Sequence, residues 1–310
     1  MIILLTGAGG LVGRNLMEQR QLQGISGAWL TPSRQELNLL DYSSVCSYIE
    51  AHKPEMIIHA AGTVGGIQAN MRQPVRFLLD NLDMGRNIVA AARRSGIRKL
   101  INLGSSCMYP KEAVNPLREE MILTGELEPT NEGYALAKIT VARLCEYIFR
   151  EDPAFQYKTL IPCNLYGRWD TFEPDRSHMI PAAIHKIHEA KTTGNPVVIW
   201  GEGGARREFM YAGDLALCLL RAVEQFDTLP SVMNVGIGSD YSINDYYRII
   251  ADIVGYDGAF NHDLSKPSGM RQKVVSIAKQ ISWGWSPRTT LEEGLLKTYA
   301  HYLERKEGIS

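Results

Sequence analysis

Short apolar runs alternate along most of the chain with longer segments in which apolar residues recur every three or four positions. Val75, Leu78, Leu79 and Leu82 show this helical spacing, whereas the short runs resemble strands that are buried on both faces of a sheet. The alternation predicts parallel strands connected by helices. The predicted strands are Ile2–Thr6, Ala28–Thr31, Met56–His59, Lys99–Gly104, Lys158–Pro162 and Ser231–Val235. The predicted helices are Leu11–Leu22, Ser43–His52, Pro74–Ser95, Tyr134–Phe149 and Asp214–Gln225.

The alternation becomes less regular after about Gly167. At ~100–200 residues per domain, the 310 residues suggest one large domain or two closely associated ones. We expect an α/β protein with a doubly wound parallel sheet in residues 1–165, completed by about 211–238. Residues 166–210 and 239–310 are expected to form a smaller C-terminal α/β domain that binds the substrate.

The charge balance and the cysteines exclude several classes of function. Lys and Arg number 33 against 34 Asp and Glu, so the net charge of −1 gives no long-range attraction to nucleic acids or anionic membranes. No apolar stretch approaches the ~20 residues that span a bilayer, and no basic region precedes the N-terminal apolar run. The five cysteines are scattered without a C-x-x-C pair, which favours reduced thiols and no metal site. We therefore expect a soluble, cytoplasmic protein.

A glycine-rich segment follows the first predicted strand and opens the first predicted helix. Gly7, Gly10 and Gly13 have the spacing G-x-x-G-x-x-G, which permits a tight turn and lets a pyrophosphate approach the helix N-terminus. Together with Leu11 and Val12 they are the predicted dinucleotide-binding residues of a Rossmann-type sheet. The alternative is a glycine-rich turn without a ligand.

The end of the second predicted strand indicates the type of dinucleotide. No acidic residue stands there to bind a ribose hydroxyl, whereas Arg34 suits a 2′-phosphate and therefore NADP. An exposed surface arginine is the alternative. Asp41 could contact the adenine, although a carboxylate at the start of a helix is a comparable interpretation.

Three polar residues form a candidate catalytic set. Tyr134 and Lys138 are four residues apart on a predicted helix, so both project from one face. The ammonium would lower the pKa of the phenol, which must exchange a proton with a carbonyl. Ser105 follows the fourth predicted strand, where open α/β sheets place their ligands, and could bond the same carbonyl oxygen. The alternative is three unrelated polar residues.

Several segments carry a resemblance to a known family. They are Glu36-Leu37-Asn38-Leu39-Leu40-Asp41, Ala60-Ala61-Gly62-Thr63-Val64-Gly65-Gly66-Ile67, Gly104-Ser105-Ser106-Cys107-Met108-Tyr109-Pro110, Glu128-Pro129-Thr130-Asn131-Glu132, Tyr134-Ala135-Leu136-Ala137-Lys138, Asn164-Leu165-Tyr166-Gly167, Ser177-His178-Met179-Ile180-Pro181 and Arg207-Glu208-Phe209. With them the chain resembles the extended short-chain dehydrogenase/reductase family and, within it, the GDP-L-fucose synthases. The resemblance implies NADPH-dependent 3,5-epimerisation and 4-reduction of a GDP-4-keto-6-deoxy sugar, with NADP(H) as cofactor.

The resemblance also implies roles for individual residues. Ser105, Tyr134 and Lys138 match the reductase triad, and Tyr134, Lys138 and His178 match cofactor-binding positions. Cys107 and His178 match the pair that moves protons during epimerisation; alternatively, they are a small buried apolar residue and a histidine with a local partner. The positions that match contacts to the GDP-sugar are Lys186, Trp200, Arg207 and Lys273.

Three departures from the family pattern weaken this transfer of roles. Gly9 stands where the fucose synthases commonly have a basic residue that helps to hold the 2′-phosphate, and Lys186 stands where an arginine is expected. Arg271-Gln272-Lys273-Val274-Val275-Ser276 differs from the usual Arg-Lys-Leu-x-Asp run. The sugar could therefore be a relative on GDP, of the deoxyheptose or colitose type.

Two further functions remain open at this point. One is simple 4-reduction, with Cys107 and His178 only shaping the pocket. The other, from a different class, is a non-catalytic NADP-binding regulator, because a fold does not fix a function. The resemblance also implies a homodimer through the helices Pro74–Ser95 and Tyr134–Phe149.

Overall fold

The computed structural model describes residues 1–173, 177–266 and 269–308. The strands are β1 (Ile2–Thr6), β2 (Ala28–Leu30), β3 (Met56–His59), β4 (Lys99–Leu103), β5 (Gln156–Pro162), β6 (Asn164–Tyr166), β7 (Val197–Trp200), β8 (Arg206–Arg207), β9 (Phe209–Tyr211), β10 (Val232–Val235), β11 (Tyr241–Ser242), β12 (Phe260–Asp263) and β13 (Gln272–Lys273). The helices are α1 (Leu11–Leu22), α2 (Tyr42–His52), α3 (Ile67–Arg72), α4 (Pro74–Arg94), α5 (Glu132–Glu151), α6 (Met179–Thr193), α7 (Ala212–Glu224), α8 (Ile243–Val254), α9 (Ala278–Ser282) and α10 (Leu291–Lys306).

A parallel sheet of six strands confirms the predicted architecture. Its order is β2-β1-β3-β4-β5-β10, and every neighbouring pair is parallel. All predicted strands and helices are present, with ends that differ from the prediction by at most two residues. The chain order reverses between β1 and β3, which makes the carboxyl ends of these strands the expected position for a ligand.

Successive residues of each central strand point to opposite faces of the sheet and pack into two separate hydrophobic cores. Leu4 packs in a cluster with Ile57 and Ile88, on the face covered by α2, α4 and α5. Leu5 points the other way and packs in a cluster with Leu16 of α1 and with residues of α7. Because both faces are covered, the strands read as continuous apolar runs.

A second assembly of short strands and helices follows the large sheet in the chain. β7 pairs with β12 and β6 with β9, both parallel, while β8 lies between antiparallel β11 and parallel β13. A third apolar cluster joins α6, α8 and α10 around Tyr166, Ile184 and Tyr246. The expected assignment of residues 166–210 and 239–310 to a substrate-binding domain stays a prediction.

The described residues also show whether the chain has membrane-spanning helices, clusters of metal ligands or disulfides. Among the described helices, none has the length and apolarity needed to cross a membrane. In the same residues, no three metal-ligating side chains of the His, Cys, Asp and Glu types come together. All five cysteines are free; Cys107 is half-buried and the other four are buried.

Candidate active site

The glycine-rich turn between β1 and α1 brings backbone very close to backbone. Gly7 has a φ of +76°, and a Cβ there would lie 2.7 Å from the Ala61 Cα. A Cβ on Gly13 would lie 2.3 Å from the Gly7 carbonyl oxygen. Gly10 precedes α1, and the first N–H groups of a helix, here from Leu11 onward, have no intrahelical acceptor. The turn is therefore a cradle without side chains, and it fits the pyrophosphate of a dinucleotide.

Two further predicted cofactor-binding residues, Arg34 and Asp41, lie at the surface. Arg34 is exposed beyond the end of β2. Asp41 caps α2, and its carboxylate accepts a hydrogen bond from the Ser43 N–H at 2.9 Å. Gly9 faces open space, and the Arg14 Nε donates to its carbonyl oxygen at 3.1 Å. The sequence analysis missed Arg14, whose guanidinium lies beside the position where the basic residue is absent.

Lys138, Tyr134 and Ser105 meet at the carboxyl end of β4. The Lys138 ammonium donates to the Leu103 carbonyl oxygen at 2.9 Å and lies 5.8 Å from the centroid of the Tyr134 ring. Burial lowers the pKa of Lys138 to about 8. Burial also raises the pKa of Tyr134 above its ordinary value, against the opposing effect of its hydrogen bond with Ser105. The phenol is thus protonated at neutral pH, which corrects the expectation that the ammonium would lower its pKa.

Cys107 lies in a short 3₁₀ turn directly after Ser105. The Ser105 Oγ accepts a hydrogen bond from the Cys107 N–H at 3.2 Å and so caps this turn. The Cys107 sulfur accepts a hydrogen bond from the Asn131 amide at 3.2 Å and one from the Lys273 ammonium at 3.7 Å. The sulfur therefore links the segment after β4, through hydrogen bonds, to the start of α5 and to β13.

His178 lies at the start of α6, where its side chain does not cap the helix. Burial, and secondarily the charge of Lys273, lowers the pKa of the imidazole. A Cβ on Gly66 would lie 3.0 Å from the Ser177 carbonyl oxygen, so the Gly65-Gly66 loop packs directly against the residue before His178. Helix α3, which follows this loop, packs against the segment Pro129–Asn131. The loop thus packs beside His178, and the helix that follows it packs beside Asn131.

Two cationic residues lie side by side near the sulfur. Lys273 of β13 is the register partner of Arg207 of β8. Burial lowers the pKa of Arg207, while the charges of Glu128, Cys107 and Asp240 oppose this effect.

Glu208, which the sequence analysis did not single out, holds this region together. Its buried carboxylate accepts hydrogen bonds from the N–H groups of Ile237, Gly238 and Val275 at 2.5 to 2.8 Å. Burial nevertheless raises its pKa to about 7.

Lys186 and Trp200 form a separate pair. The Lys186 ammonium lies 5.0 Å from the centroid of the Trp200 ring and donates to the Val198 carbonyl oxygen at 3.0 Å. The Lys266 ammonium lies 6.0 Å from the same ring. Burial lowers the pKa of Lys186. Trp200 is 37% exposed, so it presents an aromatic face with the ammonium groups of Lys186 and Lys266 beside it.

The described contacts therefore connect the candidate catalytic set of Ser105, Tyr134 and Lys138 to four further residues, Cys107, Lys273, Arg207 and His178. They do not connect it to Arg34, Asp41 or the pair of Lys186 and Trp200. The residue of this network that sequence reasoning missed is Asn131. It stands in the quoted segment Glu128-Pro129-Thr130-Asn131-Glu132, but nothing in the sequence shows that its side chain reaches a cysteine.

Comparison with known proteins identifies the family. Residues 3–236 match the NAD dependent epimerase/dehydratase family. The chain belongs to this family. The resemblance expected from the sequence is thereby confirmed, and the six-stranded parallel sheet confirms the expected Rossmann-type fold.

Three relatives extend over nearly the whole chain. GDP-L-colitose synthase of Yersinia pseudotuberculosis is 54% identical over 307 residues, which are 99% of each chain. GDP-L-fucose synthase of Azorhizobium caulinodans is 46% identical, covering 98% of this chain and 97% of its own. A solved GDP-mannoheptose C4 reductase of Campylobacter jejuni, with NADP bound, has a TM-score of 0.87 at 30% identity, and the match covers 97% and 98% of the two chains.

The cradle predicts different effects for alanine substitutions at two glycines of this turn. Gly13→Ala places a Cβ against the Gly7 carbonyl oxygen, so we expect a loss of ~1–3 kcal/mol in the free energy of unfolding. We also expect the rise in Tm on adding NADP(H) to disappear. Gly9→Ala meets open space and should preserve both properties. Differential scanning fluorimetry with and without the dinucleotide measures these values. A full response of Gly13→Ala to the dinucleotide would contradict the cradle.

Proposed function

We propose that the protein is an NADPH-dependent enzyme that epimerises and reduces a GDP-4-keto-6-deoxy sugar. The observation that carries this proposal is the contact between two sets of proton-transferring groups. The triad of Ser105, Tyr134 and Lys138 is joined through Ser105 to Cys107, which Asn131 and Lys273 contact in turn. Relatives named GDP-L-colitose synthase and GDP-L-fucose synthase support this substrate class.

In the reductive step, Tyr134 acts as the general acid. A bound nicotinamide cofactor supplies the hydride for C4 of the sugar. Tyr134, protonated at neutral pH, donates its proton to the developing alkoxide, and Ser105 orients that oxygen. Lys138, held by the Leu103 carbonyl oxygen, places positive charge beside the phenol and binds the nicotinamide ribose.

In the epimerisation step, Cys107 acts as base and His178 as acid. The C4 ketone acidifies the neighbouring protons at C3 and C5, so a base on one face and an acid on the other can invert these centres. Cys107 takes the proton. His178, whose pKa is lowered by burial and by the charge of Lys273, returns a proton from its protonated form.

The cofactor is NADP(H). The cradle of Gly7, Gly10 and Gly13 receives the pyrophosphate, while Arg34 and Asp41 bind the adenosine half. The bound NADP in the Campylobacter jejuni relative supports this choice. The Arg14 guanidinium beside Gly9 offers a second cation close to the same turn.

The sugar nucleotide binds to Arg207, Lys273 and the pair of Lys186 and Trp200. The flat tryptophan face suits a base, and the neighbouring cations suit a pyrophosphate. A colitose-type sugar on GDP is a second candidate. The higher identity to the colitose synthase, 54% against 46%, favours it. A non-catalytic regulator is disfavoured because it would not require the assembled triad.

The protein acts as a cytoplasmic homodimer in this proposal. Five free thiols suit a reducing compartment. Helices α4 and α5 expose Val75, Leu79, Leu136 and Phe149, which would supply an apolar contact between two copies.

Tyr134→Phe tests the reductive step. Removing the general acid should lower the rate of NADPH oxidation by ~10²–10⁴-fold while NADPH still binds. Absorbance decay at 340 nm with a GDP-4-keto-6-deoxy sugar measures the rate, and fluorescence titration measures cofactor binding. Tyr147→Phe, which alters an exposed tyrosine of the same helix, is the control and should keep normal turnover. Normal turnover in Tyr134→Phe would refute the triad.

Arg34→Ala tests the choice of cofactor. We expect the unmodified protein to have a higher kcat/KM with NADPH than with NADH. The variant should lose much of this preference, because a charge-assisted contact to phosphate contributes ~1.5–3 kcal/mol. Arg98→Ala is a matched control, since Arg98 is also exposed but precedes the amino end of β4. Equal kcat/KM values in the unmodified protein would contradict the assignment.

Solvent deuterium separates epimerisation from reduction. In deuterated water the unmodified protein should place deuterium at C3 and C5 of a GDP-4-keto-6-deoxy-mannose substrate, and mass spectrometry with NMR locates it. Cys107→Ser and His178→Asn should place much less, because a serine hydroxyl is a far weaker acid than a thiol and asparagine cannot donate the proton. Tyr134→Phe should still incorporate deuterium. Reduction by the native protein without deuterium at either carbon would show a simple 4-reductase.

A further inference from the structure

The Lys273 side chain is buried without a carboxylate to balance its charge. The residue is 8% exposed. Among the described residues its ammonium forms no ion pair, and its one hydrogen bond goes to the Cys107 sulfur at 3.7 Å. Sulfur is a weak acceptor, and an ammonium has three donors. Because a buried charge is costly unless it is bonded, the donors that remain are suited to a polar ligand.

Strand β13 directs its two side chains to opposite faces. Gln272 donates to the Asp240 carboxylate at 2.6 Å, whereas the next residue, Lys273, reaches the Cys107 sulfur. The main chain of Lys273 is held as well, because its carbonyl oxygen accepts a hydrogen bond from the Glu208 N–H at 3.2 Å. The strand therefore directs Lys273, and not its neighbour, toward the groups that move protons.

Lys273 lies deeper in the site than Arg207. The two residues are register partners on neighbouring parallel strands, so their side chains lie on one face. Arg207 is half-buried, whereas Lys273 is buried and in contact with the Cys107 sulfur. The charge of Lys273 also lowers the pKa of His178. The ammonium therefore lies beside the candidate base and within range of the candidate acid.

We propose that Lys273 contacts the sugar ring of the substrate rather than its pyrophosphate, and that it donates a hydrogen bond to the C2 hydroxyl. This inference rests on the proposed function. A C3 carbon that Cys107 deprotonates must lie ~3–3.5 Å from the sulfur, which the ammonium also contacts. The neighbours of C3 are the C4 ketone and the C2 hydroxyl. Since Ser105 and Tyr134 bind the ketone oxygen, the C2 hydroxyl is the acceptor left for Lys273.

The pyrophosphate is better placed nearer to solvent. A guanidinium can bind two phosphate oxygens at once, which suits Arg207 to this role. The half-buried Lys186 beside Trp200 offers a further cation. A pyrophosphate at Lys273 would instead occupy the space beside the Cys107 sulfur that the reacting carbon needs.

Binding of GDP tests which part of the substrate Lys273 contacts, because GDP has the pyrophosphate but no sugar ring. Lys273→Met removes the charge at similar length and should leave the Kd for GDP within about twofold of the unmodified value. Arg207→Met should raise it by ~10–100-fold. Lys53→Met, which alters an exposed lysine before the amino end of β3, should change nothing. Isothermal titration calorimetry measures the Kd. Should Lys273→Met lower the Tm, Lys273→Gln gives the same measurement.

Turnover tests the contact with the ring. With a GDP-4-keto-6-deoxy-mannose substrate, Lys273→Met should lower kcat/KM by ~10–100-fold, because it removes a hydrogen bond from a charged donor. A substrate analogue without the C2 hydroxyl should be a poor substrate for the unmodified protein as well. On this analogue Lys273→Met should lower kcat/KM by less than about threefold, since the contact is already absent.

Two results would overturn the inference. If Lys273→Met weakens GDP binding as much as Arg207→Met does, Lys273 binds the pyrophosphate. If Lys273→Met causes the same loss of kcat/KM with both sugars, the C2 hydroxyl is not its partner. In either case an unmodified protein that binds GDP and turns over the sugar leaves the proposed function standing. An unmodified protein that does not bind GDP would refute the proposed function, and the inference with it.

Discussion

One hydrogen bond, from the Lys138 ammonium to the Leu103 carbonyl oxygen, fixes the geometry on which the candidate site depends. A buried ammonium is costly unless it is bonded, and burial here lowers its pKa to about 8. The bond ties α5 to the carboxyl end of β4. Ser105 and Cys107 follow that end of the strand, whereas Asn131 and Tyr134 lie at the start of the helix. Two short segments thus bring the candidate groups Ser105, Cys107 and Tyr134 together.

The large sheet was predictable because its strands are buried on both faces and its helices are amphipathic. Both features produce a local pattern of apolar and polar residues that is visible in the sequence. The short strands β8, β11 and β13 have two residues each and leave no periodicity. Glu208, directly after β8, accepts hydrogen bonds from the N–H groups of Val275, after β13, and of residues 237 and 238, before β11, and so connects segments that are far apart in the chain. No local signal identifies such a partner.

The same distinction applies to the site. Tyr134 and Lys138 were predictable from helical spacing, and Ser105 from its place after a strand. The contacts of the Cys107 sulfur with Asn131 and Lys273 span 24 and 166 residues, so only the folded chain shows them. Asn131 was hidden for a further reason. At the first turn of a helix an asparagine has an ordinary structural explanation, and the structure alone shows that its side chain does something else.

The environment of the site moves the acidities of its two candidate acids in opposite directions. Burial raises the pKa of Tyr134, and a negative charge on Cys107 raises it further, whereas burial and Lys273 lower the pKa of His178. A phenol whose pKa is raised suits a strongly basic acceptor, such as the alkoxide formed when C4 is reduced. An imidazolium of low pKa can protonate the carbon of an enolate. Because the enolate requires the ketone that reduction removes, the proposed mechanism places proton donation by His178 before proton donation by Tyr134.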